Sequence, residues 1–212
     1  MKTKNFMLKT RYIIGAFLLA VCCFKGNAQD ISDKLQFNVD WQMNAPLGTD
    51  FANKISGWGM NFEGGYYLTP HWSLGAFLNF HTNHKYVGRQ TYQLSPTEAL
   101  TTDQQQSAFQ LPFGLLTAYR IKEDGYVRPY VGAKVGAMYA KNTTYMNVTG
   151  LYDNPWGFYV SPEVGIHIFP VPDRKLGFHV AAYYSYATNQ SKLLLGSMDG
   201  QNNIGFRVGL TF

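Results

Sequence analysis

Cysteine is nearly missing from this 212-residue chain: Cys22 and Cys23 fall together in an apolar run near the start, and none follows. Whatever is built after them has no disulfide framework and no thiol chemistry. Charge is scarce as well, at 15% Asp, Glu, Lys and Arg. Beyond the first run, no apolar stretch is long enough to cross a membrane as a helix. The mean hydropathy of -0.19 suggests a soluble protein. That average means little where successive residues face opposite environments.

The front of the chain reads as a targeting segment. Lys2, Lys4, Lys9 and Arg11 form a basic region, residues 12–24 an apolar core, and Gly26-Asn27-Ala28 a small-residue cleavage site. The expected division is a cleaved signal peptide, 1–28, and a single mature domain, 29–212. A rival reading makes Leu19-Ala20-Val21-Cys22 a lipoprotein box with Cys22 lipidated, but Val21 is bulky for the residue before the cleaved bond. Five of the 18 basic residues precede the cleavage point and none of the 13 acids does, which leaves 13 against 13. The sequence pI of about 9.1 therefore gives no reason to expect a nucleic-acid partner.

What is plentiful is aromatic residues, at 16%, and glycine, at 21 residues, arranged in alternating stretches. The last stretch is the clearest: Ile204, Phe206, Val208, Leu210 and Phe212 alternate with Gly205, Arg207, Gly209 and Thr211. One face is apolar and the other small or charged, as on a strand between two environments. Seven more stretches repeat this, led by Phe37, Trp58, Trp72, Phe109, Val131, Phe158 and Phe178 on their apolar faces. Their opposite faces carry Gly, Ser, Asn and Tyr with few charges. The outside of a soluble barrel would instead be dense in Lys and Glu.

The connections alternate long and short. Residues 44–54, 83–106, 142–155 and 189–202 are expected as loops, the last with Asp199-Gly200 as a turn signal, and 69–71, 122–125 and 170–174 as short turns. Pro129 and Pro162 interrupt strands and predict a bulge or an unpaired position at each. Trp41, Trp58, Phe80 and Tyr186 at one end and Tyr66, Trp72, Tyr119 and Phe212 at the other suit interfacial girdles.

The terminal Gly205, Phe206, Gly209, Leu210 and Phe212 resemble the insertion signal of bacterial outer-membrane β-barrels, and the mature chain as a whole resembles the small OmpA/OmpX-like barrels. Its Asn-Ala-Gln junction is similar to those of Bacteroidota. The resemblance implies an all-β fold, an eight-stranded antiparallel up-and-down transmembrane β-barrel in the outer membrane, with periplasmic termini and long extracellular loops. It implies lipid and the barrel-assembly machinery as partners and no cofactor. No peptidoglycan-binding domain is expected after the last strand, so cell-wall tethering is not carried over.

Inward charges form the sharpest constellation. Asp40, Glu63, Lys134, Glu163 and Arg207 fall near mid-height, with Lys134 expected beside Glu163, Arg207 beside Asp40 and Glu63 next to Asp40. A buried charge without a partner is costly, so a salt-bridged plug is expected. It reads functionally as a gate and more plainly as a satisfied polar core. His167 and His179 should join it.

Catalysis has weaker support. A lipid A modifying enzyme would use His, Ser and an acid, yet His71-Trp72-Ser73 falls at a periplasmic turn. A metal shared by His81, His84 and Asp103 is weaker still. In the loops, Tyr86, Arg89, Tyr92 and Leu94, and Tyr145, Met146, Leu151, Tyr152 and Trp156, suit a surface protein or glycan contact. They suit equally well loops that pack on one another. The expected function is a non-enzymatic structural or surface-interaction barrel, with a narrow or gated pore as the alternative.

Overall fold

The computed structural model describes residues 34–146, 149–171, 176–193 and 196–212, and the signal segment with Cys22 lies outside them. Nine strands follow in chain order: β1 Leu35–Leu47, β2 Gly59–Tyr67, β3 Trp72–Ser95, β4 Glu98–Arg120, β5 Val127–Met146, β6 Thr149–Asp153, β7 Trp156–Ile168, β8 Gly177–Leu193 and β9 Gly196–Thr211. The pairing order β4-β3-β2-β1-β9-β8-β7-β5, with β5 returning to β4, makes a ring of eight strands. The short β6 pairs with β5 alone, beyond the end of the ring. The fold is all-β, and the ladders among the described residues are antiparallel.

The alternation in sequence decides which face is which. Val39, Trp41, Leu74, Leu78, Leu115, Val131, Val135, Val164, Val208 and Leu210 lie exposed on the outside, while Asp40, Gln42, Asn61, Asn79, Lys134, Ser161, His179 and Arg207 fill the interior. This inverts a soluble protein and matches a barrel whose outer band meets lipid. The expected girdle residues Trp41, Trp58, Tyr186, Tyr66, Trp72 and Phe212 are exposed as well.

Eight strands leave an interior only wide enough for side chains, so bulky residues inside need glycine opposite. A Cβ at Gly165 would sit 2.6 Å from Tyr130, and one at Gly205 would sit 2.7 Å from the Tyr183 hydroxyl and 2.1 Å from the Met43 carbonyl oxygen. Both glycines are thus required by close approach.

Strand ends differ from the sequence expectation at the long-loop end. Residues 83–106, expected as irregular, form the upper halves of β3 and β4, paired from Asn83↔Ala108 to Ser95↔Glu98. Residues 142–146 and 149–153, and residues 190–193 and 196–202, likewise belong to paired strands. The physical reason is that toward this end the buried face is itself polar, as at Asn83, Thr102, Gln104, Gln106, Asn142, Asn189 and Ser191. Alternation of hydropathy disappears, although Thr, Gln and Tyr pair across the strands as well as apolar residues would. Asp199-Gly200 is no turn: Asp199 pairs with Gln190, and Gly200, at φ +83°, sits at a register shift opposite residues 188–189.

Proline behaves partly as expected. On the β8 side of Pro162 the ladder skips from Val160↔Tyr186 to Glu163↔Tyr183, and the Tyr184 carbonyl accepts from Ser161 Oγ at 2.8 Å. Pro129 makes no bulge. It lies one residue past the last β4–β5 pair, Arg120↔Tyr130, where its missing N–H is not needed.

Candidate functional site

Inward residues of β1, β2, β5, β7, β8 and β9 meet in a closed network across the lumen. Lys134 Nζ donates to Glu163 Oε2 at 2.7 Å and to Glu63 Oε1, so one cation joins carboxylates from β2 and β7. Arg207 Nη1 donates to Glu163 Oε2 as well, lies 3.9 Å from Glu63 Oε1, and its guanidinium sits 4.1 Å over the Tyr183 ring. Every oxygen of the two glutamates has a donor: Asn38 Nδ2 serves Glu63 Oε2 at 3.0 Å, Asn61 Nδ2 serves Oε1 at 2.7 Å, and Tyr130 Oη serves Glu163 Oε1 at 3.1 Å. Arg207 Nη2 is left buried without a partner; the remaining pairing offsets the cost of holding these ions in a low-dielectric interior.

Asp40 is where expectation and structure part. Arg207 stands opposite Gln42 in the β1–β9 ladder and donates from Nε to Gln42 Oε1 at 2.9 Å, while Asp40 stands opposite Gly209. The partner of Asp40 is His179, whose Nδ1 lies 2.8 Å from Oδ1, with Asn61 Nδ2 donating to Oδ2 at 2.7 Å. The Arg207–Asp40 pair is therefore not formed. The two strands meet only where the ring closes, and no turn in sequence fixes their register. His167 and His179 are paired across β7 and β8 and stack 4.8 Å apart, with Tyr130 stacked 4.8 Å from His167.

Sequence reasoning named the ions and missed the amides that complete them. Gln42, Asn61 and Asn38 were legible as inward positions next to charged ones, and that adjacency was the available signal. Gln36 is a further hub. Its Oε1 accepts from Arg120 Nη2 at 3.3 Å and from Tyr67 Oη, and its Nε2 lies 2.6 Å from His167 Nε2.

Toward the long-loop end the lumen changes chemistry. His81 lies between Gln42 at 3.1 Å and Gln110 at 2.8 Å, Asn203 reaches Gln110 at 3.1 Å, and Asn44 bonds both Asn203 and Asn83. Segment 48–57 folds over this end: the Ala52 amide donates to Gln106 Oε1 at 3.1 Å, and Phe51 and Ala52 pack with Ala108 and Met198. His81 is buried in the lumen and His84 is exposed, so the two do not come together with Asp103 around an ion. His71 engages Glu123 at 2.9 Å through Nε2 and the Arg120 carbonyl at 2.9 Å through Nδ1, which occupies both ring nitrogens beside Ser73.

Of the surface residues named from sequence, Tyr86, Arg89, Tyr92, Tyr145 and Tyr152 lie on strand extensions, whereas Trp156, expected in a loop, starts β7 within the ring, opposite Tyr139 and against the rings of Tyr139 and Phe113. Tyr86, Tyr145, Tyr152 and Trp156 are exposed, as is Arg89. Tyr86 Oη donates to Asp103 at 3.3 Å, and that carboxylate pushes the phenol above its ordinary value. Tyr152 lies 5.6 Å beneath the Lys141 ammonium, and Gln90 Nε2 donates to Tyr92 Oη. β3 leaves its β2 partner at His81, and β4 leaves β5 at Gln105. Beyond those points the β3–β4 hairpin is a two-stranded ribbon.

A ring of antiparallel strands, apolar outside and closed inside by polar side chains, defines an integral membrane β-barrel. Residues 16–212 match the model of the outer membrane protein beta-barrel domain, and the chain belongs to that family of the outer membrane. Among solved structures, the chain is similar to Neisserial surface protein A, at 12% identity over 84% of this chain and 96% of that one, TM-score 0.49. It is also similar to Ail, the attachment invasion locus protein of Yersinia pestis, in complex with the heparin analogue sucrose octasulfate, at 17% identity over 84% and 97%, TM-score 0.43. OprG from Pseudomonas aeruginosa is similar at 12% identity over 84% and 93%, TM-score 0.42. No curated protein matches in sequence.

Proposed function

We propose that this barrel is a non-enzymatic surface-interaction protein. Its ring anchors the β3–β4 ribbon outside the cell, and its termini and short turns face the periplasm. The carrying observation is the ribbon itself: β3 and β4 run to 24 and 23 residues, about twice the ~9–11 residues a membrane strand needs. From Val87 to Ser95 and from Glu98 to Gln104 the two strands pair with each other and have no outer ladder partner among the described residues. Unpaired backbone edges are templates for strand addition. Arg89, Glu98 and Asp103 are the only charges on those two segments, so little guards the edges. The fitting partner is an extended segment of an extracellular protein, with Tyr86 and Tyr92 beside it as aromatic contacts.

The short-turn ends support the orientation, since barrels of this kind keep short turns in the periplasm. A pore is the weaker reading: ion pairs cross the lumen at Lys134, and segment 48–57 covers its outer end. An enzyme is weaker again, since His71 has both nitrogens engaged.

The test is purification of the tagged barrel from its own outer membrane in mild detergent, beside a variant in which residues 87–104 are replaced by a two-residue turn. A stoichiometric protein that accompanies the full barrel and is lost from the shortened one is the expected result. A barrel that comes out alone, or a partner indifferent to the ribbon, overturns the reading.

A further inference from the structure

At the short-turn end of the lumen, below the ion pairs, lies a cavity of about 20 Å³ lined by Arg120, His167, Gln36, Tyr67, Ser73 and the inner carboxylates. Two buried nitrogens on its lining residues have no hydrogen-bond partner, Arg120 Nε and His167 Nδ1. His167 is 4% exposed. The tautomer follows from the neighbours. Gln36 Oε1 accepts from both Arg120 and Tyr67, which fixes the Gln36 amide nitrogen as the group facing His167 Nε2 at 2.6 Å. An amide N–H can only donate, so Nε2 accepts and the proton of the neutral ring sits on Nδ1. Both orphan atoms are therefore N–H donors, one of them on a permanent cation.

The hydrogen bonds of Arg120 point the same way. Its described partners are neutral: the Gln36 oxygen and the Tyr67 ring, 4.0 Å from the guanidinium. Glu63 and Glu163 also line the cavity, but each of their oxygens already accepts from Asn38, Asn61, Lys134, Arg207 or Tyr130. Arg120 is half-buried, but its Nε is enclosed, and two enclosed N–H donors with no acceptor, in a space the size of one water, favour a compact acceptor of negative charge. About 20 Å³ exceeds the ~10–15 Å³ that one water-sized occupant needs and leaves no room for a tetrahedral oxyanion.

We propose that this cavity is a binding site for one small monovalent anion of halide size, chloride in the cell, held by Arg120 Nε and His167 Nδ1 beneath the salt-bridged plug. The anion would enter from the short-turn mouth and accept from both enclosed donors.

Bromide reports the site directly. Crystals of the full barrel equilibrated in millimolar sodium bromide are expected to show an anomalous peak within hydrogen-bond distance of both nitrogens. Arg120→Gln should abolish the peak and His167→Phe should weaken it, in variants that keep heat-dependent gel mobility. Ordered water with no anomalous signal in the wild type overturns the site, and that map decides alone if neither variant folds. A peak that survives Arg120→Gln, or that needs molar bromide, marks an adventitious ion only and overturns it equally.

Discussion

Along the same inward rows, the lumen is ionic at one height and amidic a few residues away. β1 changes from Asp40 to Asn44, β5 from Lys134 to Asn142 and β9 from Arg207 to Asn203. In the ionic layer each glutamate oxygen has a donor and Lys134 is shared by two acids. In the amidic layer both polar atoms of Asn79, Asn142 and Gln201 are buried without a protein partner. The difference is one of tolerance. A buried ion without a partner is several times costlier than a buried amide, and an amide can be served by a single ordered water. The ionic layer therefore holds the staves together, and the amidic layer beneath segment 48–57 is the more tolerant of change.

The sharpest way to break that contrast is Lys134→Met. Glu63 and Glu163 would lose the cation that joins them, at a cost of ~3–5 kcal/mol. Denaturant unfolding in lipid vesicles should show a lower midpoint, and planar-bilayer recording should show conductance if the layer parts before the barrel unfolds. An unchanged midpoint and a silent bilayer together would mean that the ions are not what closes the lumen.

Gly205→Ala probes the boundary between the layers. Its Cβ would meet the Met43 carbonyl at 2.1 Å and the Tyr183 hydroxyl at 2.7 Å, so the β1–β9 seam must shift, at ~1–3 kcal/mol. Tyr183 lies under Arg207, so the strain reaches the ionic layer as well. The same unfolding assay checks it, and tolerance without loss would show that the seam has slack. Asn79→Ala, on the amidic side, removes a group with no protein partner and should cost less than ~1 kcal/mol. A loss as large as that of Lys134→Met would erase the distinction between the layers.

The sequence made the faces legible and left the registers open. Alternation placed Asp40, Glu63, Lys134, Glu163 and Arg207 inside, because a strand between lipid and lumen must alternate. It paired Asp40 with Arg207 where the ladder sets Gly209 opposite it, since a two-residue offset at the closing seam keeps the same residues inside while changing every partner. The Gln36 hub stayed hidden for a related reason: three strands contribute to it, and nothing in one strand marks the convergence. Residues 83–106 read as a loop because both faces of these strands are polar: the buried Asn83, Thr102, Gln104 and Gln106 supply no apolar stripe to alternate with the exposed side. Thr91, Tyr92 and Gln93 are strand residues whose polarity resembles that of a loop.

The ribbon sets the lower end of the scale. Thr91 Oγ1 and Thr101 Oγ1 lie 2.8 Å apart across it, both exposed, so Thr91→Val exchanges one surface hydrogen bond for a β-branched isostere and should move the barrel's stability by no more than ~0.5 kcal/mol. The prediction is informative because it is small. If strand addition to the ribbon edge is its use, the contacts that matter are backbone groups, and Thr91→Val should leave partner capture intact. Successive N–H groups of β3 face β4 and the open edge in turn, so of Gln90→Pro and Thr91→Pro one removes a donor to β4 and the other an edge donor, and the edge variant should weaken capture with the β3–β4 ladder intact. Equal unfolding midpoints for Thr91→Val and the parent, with capture lost in one proline variant alone, would separate a surface that binds from a lumen that holds. A midpoint shift comparable to that of Gly205→Ala would instead make the ribbon part of the barrel's own stability, and the division between anchor and contact would fail.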